Sequence, residues 1–164
     1  MKTSFHNIEQ AIDRVEELSP GSPRQEVILN RLFCHINSRL ICHWNEVLKP
    51  FGINETLWLA LLTLYSHPEQ TLYPSDISDT LDFSRTNATR VSDELVKNGW
   101  AIRTACCDDR RKILLKMSPS GVTFIESLLP TARQCLVDQW RDFDVQEKDA
   151  LEDLMRKLLS TLNG

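Results

Sequence analysis

Apolar residues recur every three or four positions along most of the chain, and this period predicts a mainly helical protein. A short amphipathic helix is predicted over residues 5–18, ended by the Ser-Pro-Gly break at 19–21. A long helix is predicted over 22–48, with Ser22 as its N-cap and Pro23 at its first position. The apolar stripe of this second helix is wide, which indicates packing on more than one side.

The middle of the chain predicts three further helices. Asn54 is the expected N-cap of a helix over 55–66, and a shorter helix follows at 76–81. The third runs over 84–98, with Ser84 as its expected N-cap and Gly99 as its left-handed C-terminal residue. The second and third of these are separated by only a few residues. Two short helices joined by a tight turn, the second ended by glycine, are typical of a helix-turn-helix.

Two segments of alternating polarity follow, at 100–105 and 113–117, and they predict a β-hairpin. The residues between them, CCDDRRK at 106–112, form its charged tip. A helix-turn-helix followed by such a hairpin predicts a winged helix.

The C-terminal part predicts two more helices. One runs over 119–141, with Ser118 as its cap and a bend at Pro130. The other begins at a capping box formed by Asp144 and Glu147 and runs to about Leu162. Leucines at helical spacing make the last helix apolar enough to pack against a second subunit; the alternative is packing against the helix over 22–48. The expected fold is mainly α with a small β-hairpin, a winged helix-turn-helix flanked by N- and C-terminal dimerisation helices. The expected divisions are a helical extension at 1–21, a first dimerisation helix at 22–52, a winged helix-turn-helix DNA-binding domain at 53–118 and C-terminal dimerisation helices at 119–164.

The net charge of the chain does not indicate a nucleic-acid partner, but the distribution of charge along the chain does. The chain has 19 Lys and Arg against 23 Asp and Glu, a net charge of −4. Residues 84–116 hold eight basic and four acidic residues, a net of +4, so the remainder carries −8. A concentrated basic segment is the expected footprint of a nucleic-acid contact surface, although a solvated charged face would give the same count.

The helix over 84–98 begins with SRTNATR, which holds hydrogen-bond donors and no acid. In a helix-turn-helix, the start of the second helix enters the major groove. Arg85 can pair with guanine and Asn87 with adenine, each through two hydrogen bonds. Arg90 can contact the DNA backbone. The hydroxyl residues suit phosphates or thymine methyl groups; they are Ser84, Thr86 and Thr89.

The hairpin tip supplies a second basic element. Arg110 and Arg111 can place a guanidinium group in the narrow minor groove. Asp109 lies two residues before Arg111 and can pair with it, which orders the arginine before DNA binds.

These motifs resemble the MarR family of winged-helix transcription regulators. Asp109-Arg110-Arg111 and the segment Leu114–Gly121 are similar to the family's D-x-R and L-x-L-T-x-x-G signatures, with Met117-Ser118 in place of Leu-Thr. The segments GINETLWLALLTL (52–64) and SRTNATRVSDELVKNGW (84–100) resemble a subgroup that represses multidrug-efflux operons. The resemblance covers residues 22–162.

The resemblance implies an obligate homodimer built from the first long helix and the last two. It also implies binding to double-stranded DNA at a pseudo-palindromic operator, and release by a small phenolic or lipophilic inducer. In such a protein Arg111 would contact the minor groove and Asp109 would position it. We therefore expect a repressor of efflux or stress genes.

A sensor in this chain could in principle use one of three chemistries. A ligand pocket between the dimer helices and the winged helix would include His35, Cys42, Trp44 and Trp58. Thiol oxidation would act at Cys106 and Cys107, where nearby arginines lower a thiol pKa, and this leaves a redox-sensing regulator of the same fold as an alternative. Metal binding is not expected, because the two Cys-His pairs on the long helix are roughly 12 Å apart. These pairs are Cys34-His35 and Cys42-His43.

No catalytic motif or cofactor-binding motif occurs, so we expect neither an enzyme nor a cofactor. The N-terminus does not resemble a signal peptide, and the longest apolar run, 56–65, is too short to span a bilayer. A cytoplasmic protein without membrane contact is therefore expected. A winged helix that serves protein–protein contact is the remaining alternative.

Overall fold

The computed structural model describes residues 5–105 and 113–162, and residues 1–60 and 61–164 form two compact units. The mainly helical fold with a β-hairpin is confirmed. The helices are α1 (His6–Leu18), α2 (Arg24–Leu48), α3 (Glu55–Ser66), α4 (Pro74–Thr80), α5 (Arg85–Lys97), α6 (Pro119–Gln139) and α7 (Val145–Leu162). The strands are β1 (Thr71–Leu72), β2 (Ala101–Ala105) and β3 (Ile113–Met117).

Within the first unit, the turn between α1 and α2 is organised by Glu16. Its carboxylate accepts hydrogen bonds from the backbone N–H of Gly21 at 2.8 Å and of Ser22 at 3.0 Å. The Ser22 hydroxyl also donates to it at 2.5 Å. These bonds stabilise the charged form, the hydroxyl most, and lower the pKa of Glu16.

The prediction that Ser22 caps α2 is wrong. The N-cap is Pro23, and no side chain caps this end of the helix. The physical reason is that the Ser22 hydroxyl donates to the Glu16 carboxylate and does not accept from the first turn of α2. The carboxylate lies six residues earlier in sequence, so the capping pattern alone did not reveal it.

The far end of α2 follows the prediction. A single 3-10 turn, Lys49–Phe51, comes after Leu48, and Gly52 ends it in the left-handed region. The Asn54 side chain caps α3 by accepting from the backbone N–H of Leu57 at 2.9 Å, as predicted. The Asn45 side chain accepts from the N–H of Glu55 at 2.9 Å, and this bond ties the start of α3 to α2.

In the second unit, α4 and α5 form the helix-turn-helix. Asp76 accepts from the backbone N–H of Tyr73 at 2.7 Å, which fixes the start of α4. Across the turn, the Ser78 hydroxyl donates to the carbonyl of Phe83 at 2.6 Å. Ile77 of α4 and Val91 and Leu95 of α5 are fully buried, and the two helices pack against each other.

The sheet contains one strand more than the hairpin that was predicted. Strands β2 and β3 pair antiparallel, with Arg103 opposite Leu115, and the alternation on β3 buries Leu115 and Met117. The additional strand β1 pairs with the other edge of β3, with Thr71 opposite Lys116. Two residues are too few to show a period, so only pairing with β3 reveals this strand.

The segment after α5 is fastened to the start of α6 at two neighbouring carbonyl groups, those of Gly99 and Trp100. The Gly99 carbonyl oxygen accepts from the hydroxyls of Ser118 at 2.6 Å and of Ser120 at 2.7 Å. The backbone N–H of Ser118 donates to the Trp100 carbonyl at 3.0 Å. Gly121 packs against the Trp100 carbonyl, and a Cβ added to Gly121 would lie 2.2 Å from the Trp100 oxygen. Close approach of the two backbones therefore requires glycine at this position.

Helices α6 and α7 complete the second unit. Ser118 caps α6, and Asp144 and Glu147 form the predicted capping box of α7 with bonds of 2.8 and 3.0 Å. None of the described residues of α7 is buried. Its exposed large apolar side chains are Val145, Leu154, Met155, Leu158, Leu159 and Leu162. No helix in the described ranges is long and apolar enough to cross a membrane.

Replacing Gly121 with alanine should destabilise the fold by about 1–3 kcal/mol, because the new methyl group must displace backbone rather than a flexible side chain. Chemical denaturation of the purified protein measures this. Thr131→Ala, an exposed position on the same helix, serves as the control and should change stability by less than about 0.5 kcal/mol. Equal stability of the two variants would show that the two backbones do not approach as closely as described.

Candidate nucleic-acid interface

The start of α5 is a well-formed helix N-terminus. Ser84 is its N-cap and accepts from the backbone N–H of Asn87 at 3.2 Å, as predicted. The Thr89 hydroxyl donates to the carbonyl of Arg85 at 3.0 Å, so it satisfies its hydrogen bond within the helix. The side chains of Arg85 and Thr86 are exposed. They therefore stand on a rigid helical turn and face solvent.

The electrostatics of this turn favour an anion. The first turn of α5 contains no acidic residue. A helix N-terminus carries unpaired backbone N–H groups and about half a positive charge, so it attracts phosphate. The guanidinium group of Arg85 has no hydrogen-bond partner within the described residues and remains available to a ligand.

The two acids of α5 are each paired with an arginine. Glu94 accepts from Nη1 of Arg90 at 3.0 Å, one turn earlier on the helix. Asp93 contacts the guanidinium group of Arg103 on β2. This second pair connects α5 to the first strand of the hairpin. The negative charge of these two acids is thus offset locally.

Arg90 also contacts Asn87. Its Nε and Nη2 atoms donate to the Asn87 side-chain oxygen at 3.3 and 3.0 Å. Asn87, Arg90 and Glu94 therefore form one hydrogen-bonded row along the helix surface. We call these three residues the α5 row. Beside this row, α5 is buried through Ala88, Val91 and Leu95.

The hairpin loop lies outside the described residues. The predicted contact residues Asp109, Arg110 and Arg111 belong to it, as do the redox candidates Cys106 and Cys107. The strands that lead into the loop are described, and Ala105 pairs with Ile113 at its base.

The residues predicted to line a ligand pocket are only partly brought together. The rings of Trp44 and Trp58 stack with centroids 6.3 Å apart and planes 14° apart. His35 instead lies against Phe5, with ring centroids 5.8 Å apart. Cys42 is exposed on α2. The two tryptophans are thus the pair in this set with a defined mutual geometry.

Thiol and metal chemistry find little support in the described part of the chain. Cys34 and Cys42 are exposed, whereas Cys135 is buried on α6. Burial, and secondarily Asp138, raise the pKa of Cys135, which disfavours the reactive thiolate. Among residues 5–105 and 113–162, no three His, Cys, Asp or Glu side chains are grouped so that they could hold a metal ion.

Sequence reasoning did not identify the α5 row or the Asp93–Arg103 pair. The sequence does contain a signal for the α5 row, because residues three and four apart on a helix are neighbours. Asn87, Arg90 and Glu94 have this spacing. The Asp93–Arg103 contact joins a helix to a strand, so no periodicity in the sequence reveals it.

Comparison with known proteins gives the family. The model of the MarR family matches residues 53–113. The transcriptional repressor MprA of Escherichia coli is 42% identical over 163 residues, which cover 99% of this chain and 93% of that protein. The chain therefore belongs to the MarR family, in the subgroup of MprA (EmrR), and the resemblance seen in the sequence is confirmed.

Solved structures agree with the fold. A MarR family transcriptional regulator from Streptomyces coelicolor, in complex with DNA, superposes with a TM-score of 0.80 at 18% identity, over 88% of this chain and 91% of that chain. A mutant of MarR from Escherichia coli complexed with operator DNA gives a TM-score of 0.75 at 24% identity, over 85% of this chain and 99% of that chain. At these identities the likeness establishes the winged-helix fold.

Proposed function

We propose that this chain is a dimeric, sequence-specific DNA-binding repressor of transcription, and that the start of α5 enters the major groove of a pseudo-palindromic operator. One observation carries the proposal: exposed donor side chains stand at a capped helix N-terminus that has no acid in its first turn. The 42% identical relative is named a transcriptional repressor, which supports the same function.

Each exposed side chain at the start of α5 suits a particular contact with DNA. Arg85 is exposed and can donate two parallel hydrogen bonds to guanine O6 and N7. Ser84 and Thr86 are exposed beside it and suit phosphate oxygens. Thr89 donates internally, so its methyl group is the part that DNA would contact, as with a thymine methyl.

The hairpin loop would provide the second contact. Its strands are anchored, because Asp93 binds Arg103 on β2 and β3 pairs on both edges. An anchored hairpin can direct Arg110 and Arg111 toward the adjacent minor groove, with Asp109 orienting Arg111. A basic loop beside a basic helix start also accounts for the local net charge of +4 over 84–116, from eight basic and four acidic residues.

Dimerisation would place two such surfaces on one operator. The apolar side chains of α7 at positions 151, 154, 158 and 162 recur along one stripe. The described α7 leaves Leu154 at 65% and Leu162 at 73% exposure, which is unfavourable in water. A second copy of the chain is the partner that would cover this stripe, and the C-terminal dimerisation helices at 119–164 and the first at 22–52 would form the interface.

Release of DNA by a small lipophilic or phenolic inducer would make the repressor responsive, and efflux or stress genes would be its targets. The stacked pair of Trp44 and Trp58 supports an aromatic ligand, because aromatic rings bind one another by offset stacking and edge contacts. His35 and Cys42 are separate candidates for polar contacts to an inducer, because His35 lies against Phe5 and Cys42 is exposed on α2.

Replacing Arg85 with alanine should weaken binding to the promoter region of its own gene by about 1–3 kcal/mol, because a two-bond contact to a base is lost. Affinity measured at several salt concentrations, against a scrambled duplex of equal length, tests this. Arg14→Ala removes the same charge from α1 and should leave affinity unchanged. Absence of a complex at low salt, or equal affinity of both variants, would refute the proposed function. Binding to a protein from the same cells, insensitive to salt, would instead indicate an interaction module.

Replacing Leu158 with glutamate should dissociate the dimer, because a charge would be placed in the centre of the apolar stripe of α7. Sedimentation equilibrium measures the mass directly. Ser160→Glu adds the same charge on the opposite side of α7 and should leave a dimer. A monomeric wild type, or a dimeric Leu158→Glu variant, would show that α7 is not the dimer surface.

A further inference from the structure

The α5 row connects a residue expected to contact a base with two charged residues. Arg90 donates from Nε and Nη2 to the Asn87 oxygen and from Nη1 to Glu94. We infer that Arg90 is a positioning residue, and that it presents Asn87 to DNA as a hydrogen-bond donor only. This inference rests on the proposed function and deepens it, because it concerns which base edges α5 distinguishes.

The orientation of the Asn87 amide follows from the chemistry of its neighbour. A guanidinium group only donates hydrogen bonds, so the atom of Asn87 that faces Arg90 must be the oxygen. The amide nitrogen therefore points away from Arg90. No hydrogen bond of this nitrogen occurs within the described residues, so both of its hydrogens are available to a ligand.

The oxygen is already occupied on the free protein. It accepts two N–H groups, at 3.3 and 3.0 Å, and a carbonyl oxygen has two lone pairs. An asparagine that pairs with adenine must accept from N6 and donate to N7 at the same time. Asn87 can complete only the second of these bonds while Arg90 is in place. Guanine O6 and N7 and thymine O4 accept hydrogen bonds, so they suit a donor equally well.

Glu94 contacts the other side of the Arg90 guanidinium group. It binds the Nη1 atom at 3.0 Å from the side of Arg90 opposite to Asn87, so the guanidinium plane is fixed between two neighbours on the helix. The three residues are spaced by three and four positions, which places them on one helix face. A guanidinium group held in this way, beside a carboxylate, is less available to phosphate than the untethered group of Arg85.

The variant Arg90→Lys tests the inference because it keeps the charge and removes the planar fork that bridges Asn87 and Glu94. The measurement is relative affinity for a set of operators that carry each of the four base pairs at each half-site position. The wild type should show no preference for adenine over guanine at the Asn87 position. In Arg90→Lys the preference for adenine at that one base pair should rise by at least about fivefold, the effect of one additional base contact.

Two further variants complete the design. Asn87→Ala should remove all preference at the same base pair, which identifies the position. Arg14→Lys alters an ion pair of the same kind on α1, where Nη1 lies 2.6 Å from Glu17, and should leave every preference unchanged. Glu94→Gln should shift the preference in the same direction as Arg90→Lys but less, and it replaces that variant if Arg90→Lys unfolds.

The possible results separate this inference from the function that it rests on. If the wild type forms no complex with any operator of the set, the proposed function fails and the inference fails with it. If the wild type binds and Arg90→Lys has the same base preferences, DNA binding stands and the inference is overturned. A uniform loss of affinity across all base pairs would also overturn it, because that result assigns Arg90 to the phosphate backbone.

Discussion

The carbonyl group of Gly99 accepts two hydroxyl hydrogen bonds, and the placement of α5, the hairpin and α6 depends on them. Ser118 and Ser120 reach it from the start of α6, while Gly121 lets the two backbones meet at the Trp100 carbonyl. The rings of Trp100 and Phe124 stack beside this junction with centroids 4.3 Å apart. A shift of α6 would therefore displace the end of α5 and the first strand of the hairpin together. If α5 binds DNA as proposed, this junction is the physical route by which a change in the position of α6 would reach it.

At the other end of α5, the chain keeps a positive surface in a protein of net charge −4. It does so by placing no acid in the first turn and by pairing the two later acids, Asp93 with Arg103 and Glu94 with Arg90. Each pair is exposed, and exposed ion pairs contribute only about 0–1 kcal/mol to stability. Their larger effect is on geometry, because one orders Asn87 and the other fastens β2 to α5. The buried residues of α5 stabilise its packing, whereas these exposed pairs arrange its surface side chains.

Much of this architecture could be predicted from the sequence, because helix period, N-caps and a terminal glycine are local signals. Ser84, Asn54, Ser118 and Asp144 cap their helices as expected. Prediction failed where partners are distant in sequence. Ser22 looked like a cap but is bound by Glu16, and β1 exists only through its pairing with β3. The residues of the candidate site could be predicted from their types. The hydrogen bonds among them, which leave Asn87 with a free donor and an occupied acceptor, depend on side-chain geometry that residue identity alone does not specify.

The central claim is that the first turn of α5 lacks acids because DNA phosphates approach it. A glutamate there would normally stabilise a helix, by about 0.3–1 kcal/mol, through its interaction with the helix N-terminus. Thr86 is exposed in this turn, so Thr86→Glu and the neutral, equally large Thr86→Gln differ only in charge. The most direct test is to measure the melting temperature and the DNA affinity of both variants. We expect Thr86→Glu to melt at or above Thr86→Gln and to bind DNA at least about tenfold more weakly. Equal DNA affinity of the two variants would contradict the account.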